Sequence, residues 1–206
     1  YDLGAGAWLH VLPSHDAPVV AGRAAFLGGL LAEDAASSGL TNMLSSMWMR
    51  GTLGRSSADF SRAVENLAAE IDGFSRRTSL GMTFECTTHA LEPVLDLFAE
   101  ALLEPAFDED ELERERRDVL AAIDRRVDRL SQRAFLLFQR TLFERHPYRM
   151  AIAGERESVE RFDVDAVAAH HERLIRRANL SLGVAGDVDP DAIARALSAR
   201  LDALPA

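Results

Sequence analysis

G-L-T-N-M-L-S-S-M-W-M-R-G-T, residues 39–52, carries two patterns at once. Leu40, Met43, Leu44, Met47 and Trp48 recur at i, i+3, i+4, i+7 and i+8, the spacing that lines one side of an α-helix with apolar groups. Gly51 ends the run. The other side carries Asn42, Ser45 and Ser46. A solvated helix face usually holds Lys, Glu or Arg, because these lose little rotamer freedom, whereas Ser and Asn draw hydrogen bonds away from the helical backbone. Helix propensity does not account for the stripe, which faces either a cleft or an overlying element that demands small side chains.

Before this helix, two strands are expected around Trp8–Leu12 and Val19–Phe26, separated by the turn residues Pro13, Ser14, His15 and Asp16. After it, a second helix is expected from Ser57 to Ile71, with Phe60, Val64, Leu67, Ala68 and Ile71 inward. G-F-S-R-R-T-S and L-G-M-T-F-E-C-T-T-H then alternate and predict a pair of strands. Helices dominate next. Leu91, Val94, Leu95, Phe98 and Leu102 define one that Pro105 closes. Another opens with the acids Asp108 to Glu111, as a helix N-terminus prefers, and turns Leu112, Val119, Leu120, Ile123 and Val127 inward. Phe135, Phe138 and Leu142 mark a third, Val164–Arg177 a fourth. L-S-L-G-V-A-G-D-V is a late strand, and a last helix carries Ile193, Leu197, Leu201 and Leu204. Strands first, helices in the middle and one strand returning late predict an α+β domain, with helices packed on a mixed or antiparallel sheet. G-V-A-G-D-V lacks the spacing of a dinucleotide turn, and Asp187, Asp189 and Asp191 beside it would repel phosphate.

The 206 residues, 48% of them hydrophobic, suffice for one well-filled domain spanning residues 1–206. A net charge of -10 argues against nucleic acid as a partner, since that affinity comes from clustered cations. All 23 basic residues are Arg, spread over helices also rich in Glu and Asp. Cys86, the single cysteine, excludes an internal disulfide and reads as a buried inert thiol in a strand. No apolar run reaches the length of a membrane span. Tyr1 in place of an initiating Met fits either a processed export signal or a piece of a longer protein.

The 39–52 stretch, extended through L-G-R-S, resembles the inverted zinc-motif helix of the pitrilysin, insulinase and mitochondrial-processing-peptidase family, G-[LI]-A-H-x-L-E-H-M-x-[FL]-[KR]-G-T-x-x-[RK]-[SY]. Gly39, Leu40, Leu44, Met47, Arg50, Gly51, Thr52, Arg55 and Ser56 fit it. E-R-E-R-R-D-V-L, H-P-Y and N-L-S-L-G-V-A-G-D-V are similar to three further family signatures, in the family's order, so the resemblance covers nearly the whole chain. It implies one of the homologous α+β domains from which these zinc peptidases are built.

In that family two histidines one helical turn apart hold Zn²⁺, the Glu between them is the general base, and a Glu on a later helix is the third ligand. The matching positions here are Asn42, Ser45, Ser46 and, seven residues after Glu115, Ala122. No thiolate, imidazole or carboxylate remains among them, so no catalytic residue and no bound metal are expected in this domain. The resemblance implies zinc only in a partner domain, in the same chain or a separate subunit. The expected role is to help form the peptide-enclosing chamber of a zinc endopeptidase assembly; the alternative is a structural scaffold subunit with no part in proteolysis. The family's substrate-side strand corresponds to Asp72, Gly73, Phe74 and Ser75, a candidate peptide-contact edge, although Asp72 and Gly73 depart from the usual Asn-Ala. The resemblance has a bacterial flavour and leaves periplasm and cytoplasm both open.

The six histidines offer no substitute site. Adjacent His170 and His171 point about 100° apart on a helix and cannot share an ion well. His146 belongs to the H-P-Y turn, where a structural hydrogen bond is expected. Ser45, Ser46 and Ser79 lack a nucleophile elbow or a neighbouring base.

Overall fold

The computed structural model describes residues 1–127 and 129–206, Val127 by its backbone alone, so the inward position expected for the Val127 side chain lies outside the described residues. Strands β1 (Asp2–Gly4), β2 (Ala7–Pro13) and β3 (Val19–Leu27) come first, then α1 (Leu40–Met47), the short ribbon β4 (Gly51–Thr52) and β5 (Arg55–Ser56), and α2 (Ser57–Asn66). The hairpin β6 (Glu70–Ser75) and β7 (Ser79–Thr87) follows. A helical middle holds α3 (Leu91–Leu103), α4 (Glu109–Val127), α5 (Leu130–Leu142), α6 (Arg156–Val159) and α7 (Val164–Leu174). Strand β8 (Leu180–Gly186) and helix α8 (Pro190–Arg200) close the chain.

The sheet runs β1-β2-β8-β3-β7-β6. Its β2–β8 pair is parallel and the others are antiparallel, which makes the expected α+β class with a mixed sheet. The late strand takes a central place because its alternation suits burial on one face: Leu180, Leu182 and Val184 are buried. They join Leu9, Val20, Phe26, Leu80, Met82 and Phe84 in one core, covered by the apolar sides of α1, α3 and α8. Phe84 meets Phe98 of α3 edge to face, ring centroids 5.2 Å apart. The opposite face of the sheet is open. Trp8, Leu12 and Val19 are exposed there, around the small side chains of Ala21 and Ala185.

Three expectations need correction. The helix expected over Ser57–Ile71 stops at Asn66; Ala68 takes a left-handed turn (φ 47), and Ile71 faces the core from β6. Apolar residues three and four apart fit a helix, but Ile71 reaches the same core by strand alternation, and no Gly or Pro marks the break. The helix expected to reach Arg177 ends at Leu174. Finally, the last helix, expected to carry Leu201 and Leu204, ends at Arg200, although both leucines are buried just past it. Phe135, Phe138 and Leu142 do lie on a helix, α5, on its exposed side, while Gln139 is buried and donates to the Tyr148 carbonyl (3.1 Å). Cys86 is buried, and burial pushes its thiol pKa up. Among the described residues no helix is long and apolar enough to cross a membrane.

Candidate functional site

Helix α1 is held at both ends, by a carboxylate just before it and by groups more distant in sequence. At its start the Glu33 carboxylate accepts from the Gly39 N–H (2.9 Å) and the Thr41 N–H (2.7 Å), placing negative charge at the positive end of the helix dipole. Burial pushes the Glu33 carboxyl upward in pKa and these hydrogen bonds oppose it. Gly39 (φ +93) lies against Gly154, where a Cβ would stand 2.7 Å from the Gly154 Cα. Beyond the other end, the Arg50 guanidinium pairs with buried Glu115 of α4. Arg126, farther along α4, donates to the Gly154 carbonyl (3.4 Å). Arg50 is thus tied to the early part of α4 and Gly39, through Gly154, to its late part, so the two helices run antiparallel.

Along this frame Asn42 and Ser46 are half-buried, Ser45 is buried and Ala122 is exposed on α4. The Ser45 hydroxyl donates back to the Asn42 carbonyl (2.8 Å). The element over Ser45 is β6: a Cβ on Gly73 would stand 2.0 Å from the Ser45 carbonyl oxygen. Small size at Gly73 is what lets strand and helix touch.

β6 is an edge strand, paired among the described residues with β7 alone. Asp72 is exposed, and Gly73, Phe74 and Ser75 are half-buried. Arg23, from the open face of the sheet, rests its guanidinium 3.7 Å from the Phe74 ring centroid. Hydrogen bonding to Asp72, and charge repulsion from it, push the Glu70 carboxyl up in pKa, so this edge carries concentrated negative charge.

Four of the six histidines have structural partners. His146 Nδ1 accepts from the Tyr148 N–H (3.2 Å), as the H-P-Y turn suggested. His171 sits edge-on to Trp48 and Phe107, and its Nε2 meets the Leu102 carbonyl (3.0 Å). His15 pairs with Asp187 (2.7 Å), and with Thr88 it lowers the Asp187 pKa. The sequence did not reveal the buried His170. Its Nδ1 accepts from Arg173 (3.0 Å), which leaves the proton on Nε2, 2.9 Å from the Thr41 hydroxyl of α1. Those partners lie 129 residues apart, a distance no local pattern spans.

Burial, aided by the Arg173 charge, lowers the His170 pKa to about 4. The folded value lies below the unfolded one, so the unfolded chain takes the proton first and stability falls as pH drops through about 6.5 toward 4. At pH 5 the loss should be about 2 kcal/mol. His171 shifts in the same direction. Urea melts at pH 7 and pH 5 check this: His170→Gln should shrink the difference between them, and an unchanged difference would refute the assignment.

Among the described residues no group of three or more His, Cys, Asp or Glu side chains is placed to hold a metal ion. Asn42, Ser45, Ser46 and Ala122 offer an amide, two hydroxyls and a methyl, a donor set that does not fit zinc.

Comparison with known proteins bears on this arrangement. The family model described as insulinase (peptidase family M16) matches residues 13–177. The chain is similar to the uncharacterized zinc protease ML0855 of Mycobacterium leprae, 27% identical over 186 residues that cover 90% of this chain and 38% of that protein. It is also similar to the non-peptidase homolog YmxG of Helicobacter pylori, 23% identical over 181 residues, 88% of this chain and 42% of that protein. In fold it matches the crystal structure of a peptidase M16 inactive domain from Pseudomonas fluorescens, with a TM-score of 0.94 at 22% identity, over 100% of this chain and 50% of that one. The chain therefore spans less than half the length of these curated relatives.

Proposed function

Because this chain belongs to the insulinase family, peptidase family M16, we propose that it is a non-catalytic domain that helps wall the peptide-enclosing chamber of a zinc endopeptidase assembly. What carries this reading is an intact frame around a replaced donor set. The Arg50–Glu115 pair and the Gly39–Gly154 contact hold α1 antiparallel to α4. Ala122 follows Glu115 by seven residues, about 10 Å along α4 and on nearly the same side, which in this reading would bring it level with the Asn42–Ser46 stretch of α1. In this reading the small polar stripe is the remnant of a metal face, and proteolysis belongs to the whole assembly.

The partner proposed is a zinc-bearing M16 domain, in the same polypeptide or a separate subunit. The open sheet face supports it. Small residues on the central strands leave a groove of about 490 Å³ between Leu12 and Arg23, and a Cβ added to Gly183 there would meet nothing within 4 Å. Apolar surface of this kind, floored by small side chains, suits a packed partner element. The free edge of β6, from Asp72 to Ser75, would take up extended peptide by main-chain pairing.

The test mixes the chain with an intact zinc-bearing M16 domain and follows association and cleavage of a quenched peptide. The chain alone should cleave nothing, and the mixture should associate and cleave faster than the zinc domain alone. Ala185→Arg should weaken association by about 10-fold or more by filling the groove. Peptide cleavage by the purified chain itself would refute the proposal. Association that leaves cleavage unchanged would favour a scaffold role instead, since the open sheet face demands a partner but not a peptide.

A further inference from the structure

A cavity of about 680 Å³ lies between the loop leading into α1 and the segment joining α5 to α6. Neither β6 nor the open sheet face lines it, so what it binds is independent of the chamber reading. Six charged side chains line this cavity. Glu155 is balanced by Arg140 (2.6 Å). Glu33 is spent on the start of α1, and Asp34 accepts from the Ala36 and Ser37 N–H groups and the Ser37 hydroxyl. Arg145 and Arg149 remain. Arg149 gives one N–H to the Glu144 carbonyl, and Arg145 makes no hydrogen bond among the described residues.

Ser38 also lines the cavity and is 1% exposed. Its carbonyl is engaged by the Ser158 hydroxyl (2.6 Å), yet its own hydroxyl has no partner among the described residues. A buried hydroxyl in a cavity that retains two guanidinium groups without a carboxylate partner among the described residues is a donor set looking for an oxyanion. Ala35, Pro147 and Met150 complete the wall with apolar surface. Three carboxylates in the same lining disfavour a doubly charged phosphate and favour a single negative charge.

We infer that this cavity binds a small monocarboxylate with a short apolar body, its carboxylate held by Arg145 and Arg149, accepting the Ser38 hydroxyl proton, and its body against Ala35, Pro147 and Met150. Two sources share that chemistry: a free apolar acid and the C-terminal residue of a peptide.

Calorimetric titration of the full chain with N-acetyl-leucine, and with a short leucine-ended peptide, tests the site and separates the sources by which binds more tightly. The C-terminal amide of each should bind at least about 10-fold more weakly, because an amide forfeits the charged bidentate contact. Arg145→Gln with Arg149→Gln, both at exposed positions, should cost a similar factor, with the unfolding temperature serving as the check on folding. Ser38→Ala should have opposite effects on two readouts: a few-fold weaker binding, and a higher unfolding temperature of the free chain, since an unpaired buried hydroxyl is removed. Equal binding of acid and amide, no binding of either, unaltered affinity in the arginine or serine variants, or tighter binding of inorganic phosphate than of the acid would each overturn the assignment.

Discussion

Combining Asn42→His, Ser45→Glu, Ser46→His and Ala122→Glu yields a chain that keeps one zinc ion per molecule through dialysis, where the wild-type chain keeps none. Two histidines one turn apart on α1 point to the same side, and a glutamate on α4 supplies the third ligand, leaving the fourth position to water. The frame that aims them is already present, because Arg50 grips Glu115 at one end and Gly39 abuts Gly154 at the other. Zinc affinity should then be worth on the order of 10 kcal/mol at neutral pH, and should fade in acid as the imidazoles protonate. Excess zinc should also raise the unfolding temperature. Ser45→Glu supplies the base and not a ligand, so the triple variant without it should bind zinc and cleave nothing. Metal content and quenched-peptide assays read both properties. A quadruple variant that is folded and still holds no zinc would falsify the register on which the proposed function rests.

Gly73→Ala lowers stability by about 3 kcal/mol, the upper end of what overpacking costs. A chain of this length should then melt about 6–12 °C lower. The added Cβ meets backbone, not a movable side-chain tip: the Ser45 carbonyl oxygen at 2.0 Å, its carbon at 2.9 Å and its Cα at 3.3 Å. Relief requires β6 to slide from β7, where Gly73 pairs with Met82, or α1 to lift from the sheet. A thermal melt of Gly73→Ala within about 0.5 kcal/mol of wild type would mean that strand and helix do not touch.

The substrate-side strand that this chain resembles carries Ala where Gly73 stands, so the tight seat of β6 on α1 accompanies the small residues at Asn42, Ser45 and Ser46. Two readings of the polar stripe were open from sequence, a cleft or an overlying element that demands small side chains. Ser45 is buried, its backbone carbonyl against Gly73 of β6, while Asn42 and Ser46 stay half-buried. Periodicity placed Leu40, Met43, Leu44 and Met47 in the core because a helix repeats every few residues and so does its sequence. The same logic misread Ile71, where a turn without Gly or Pro switched helix to strand.

The amino-acid sequence by itself determined the order of the main strands and helices, the α+β class, and that residues 42, 45, 46 and 122 carry no imidazole, thiolate or carboxylate, because periodicity is local and donor chemistry is covalent. Only the tertiary structure decided that Gly73 closes on Ser45, that Glu33 caps α1, that His170 is buried against Thr41, and that one sheet face and the Ser38 cavity stand open. Apart from the Glu33 cap, which spans only six to eight residues, those facts join groups far apart along the chain, fixed by how layers settle on one another, and a short-range pattern of residues holds no record of them.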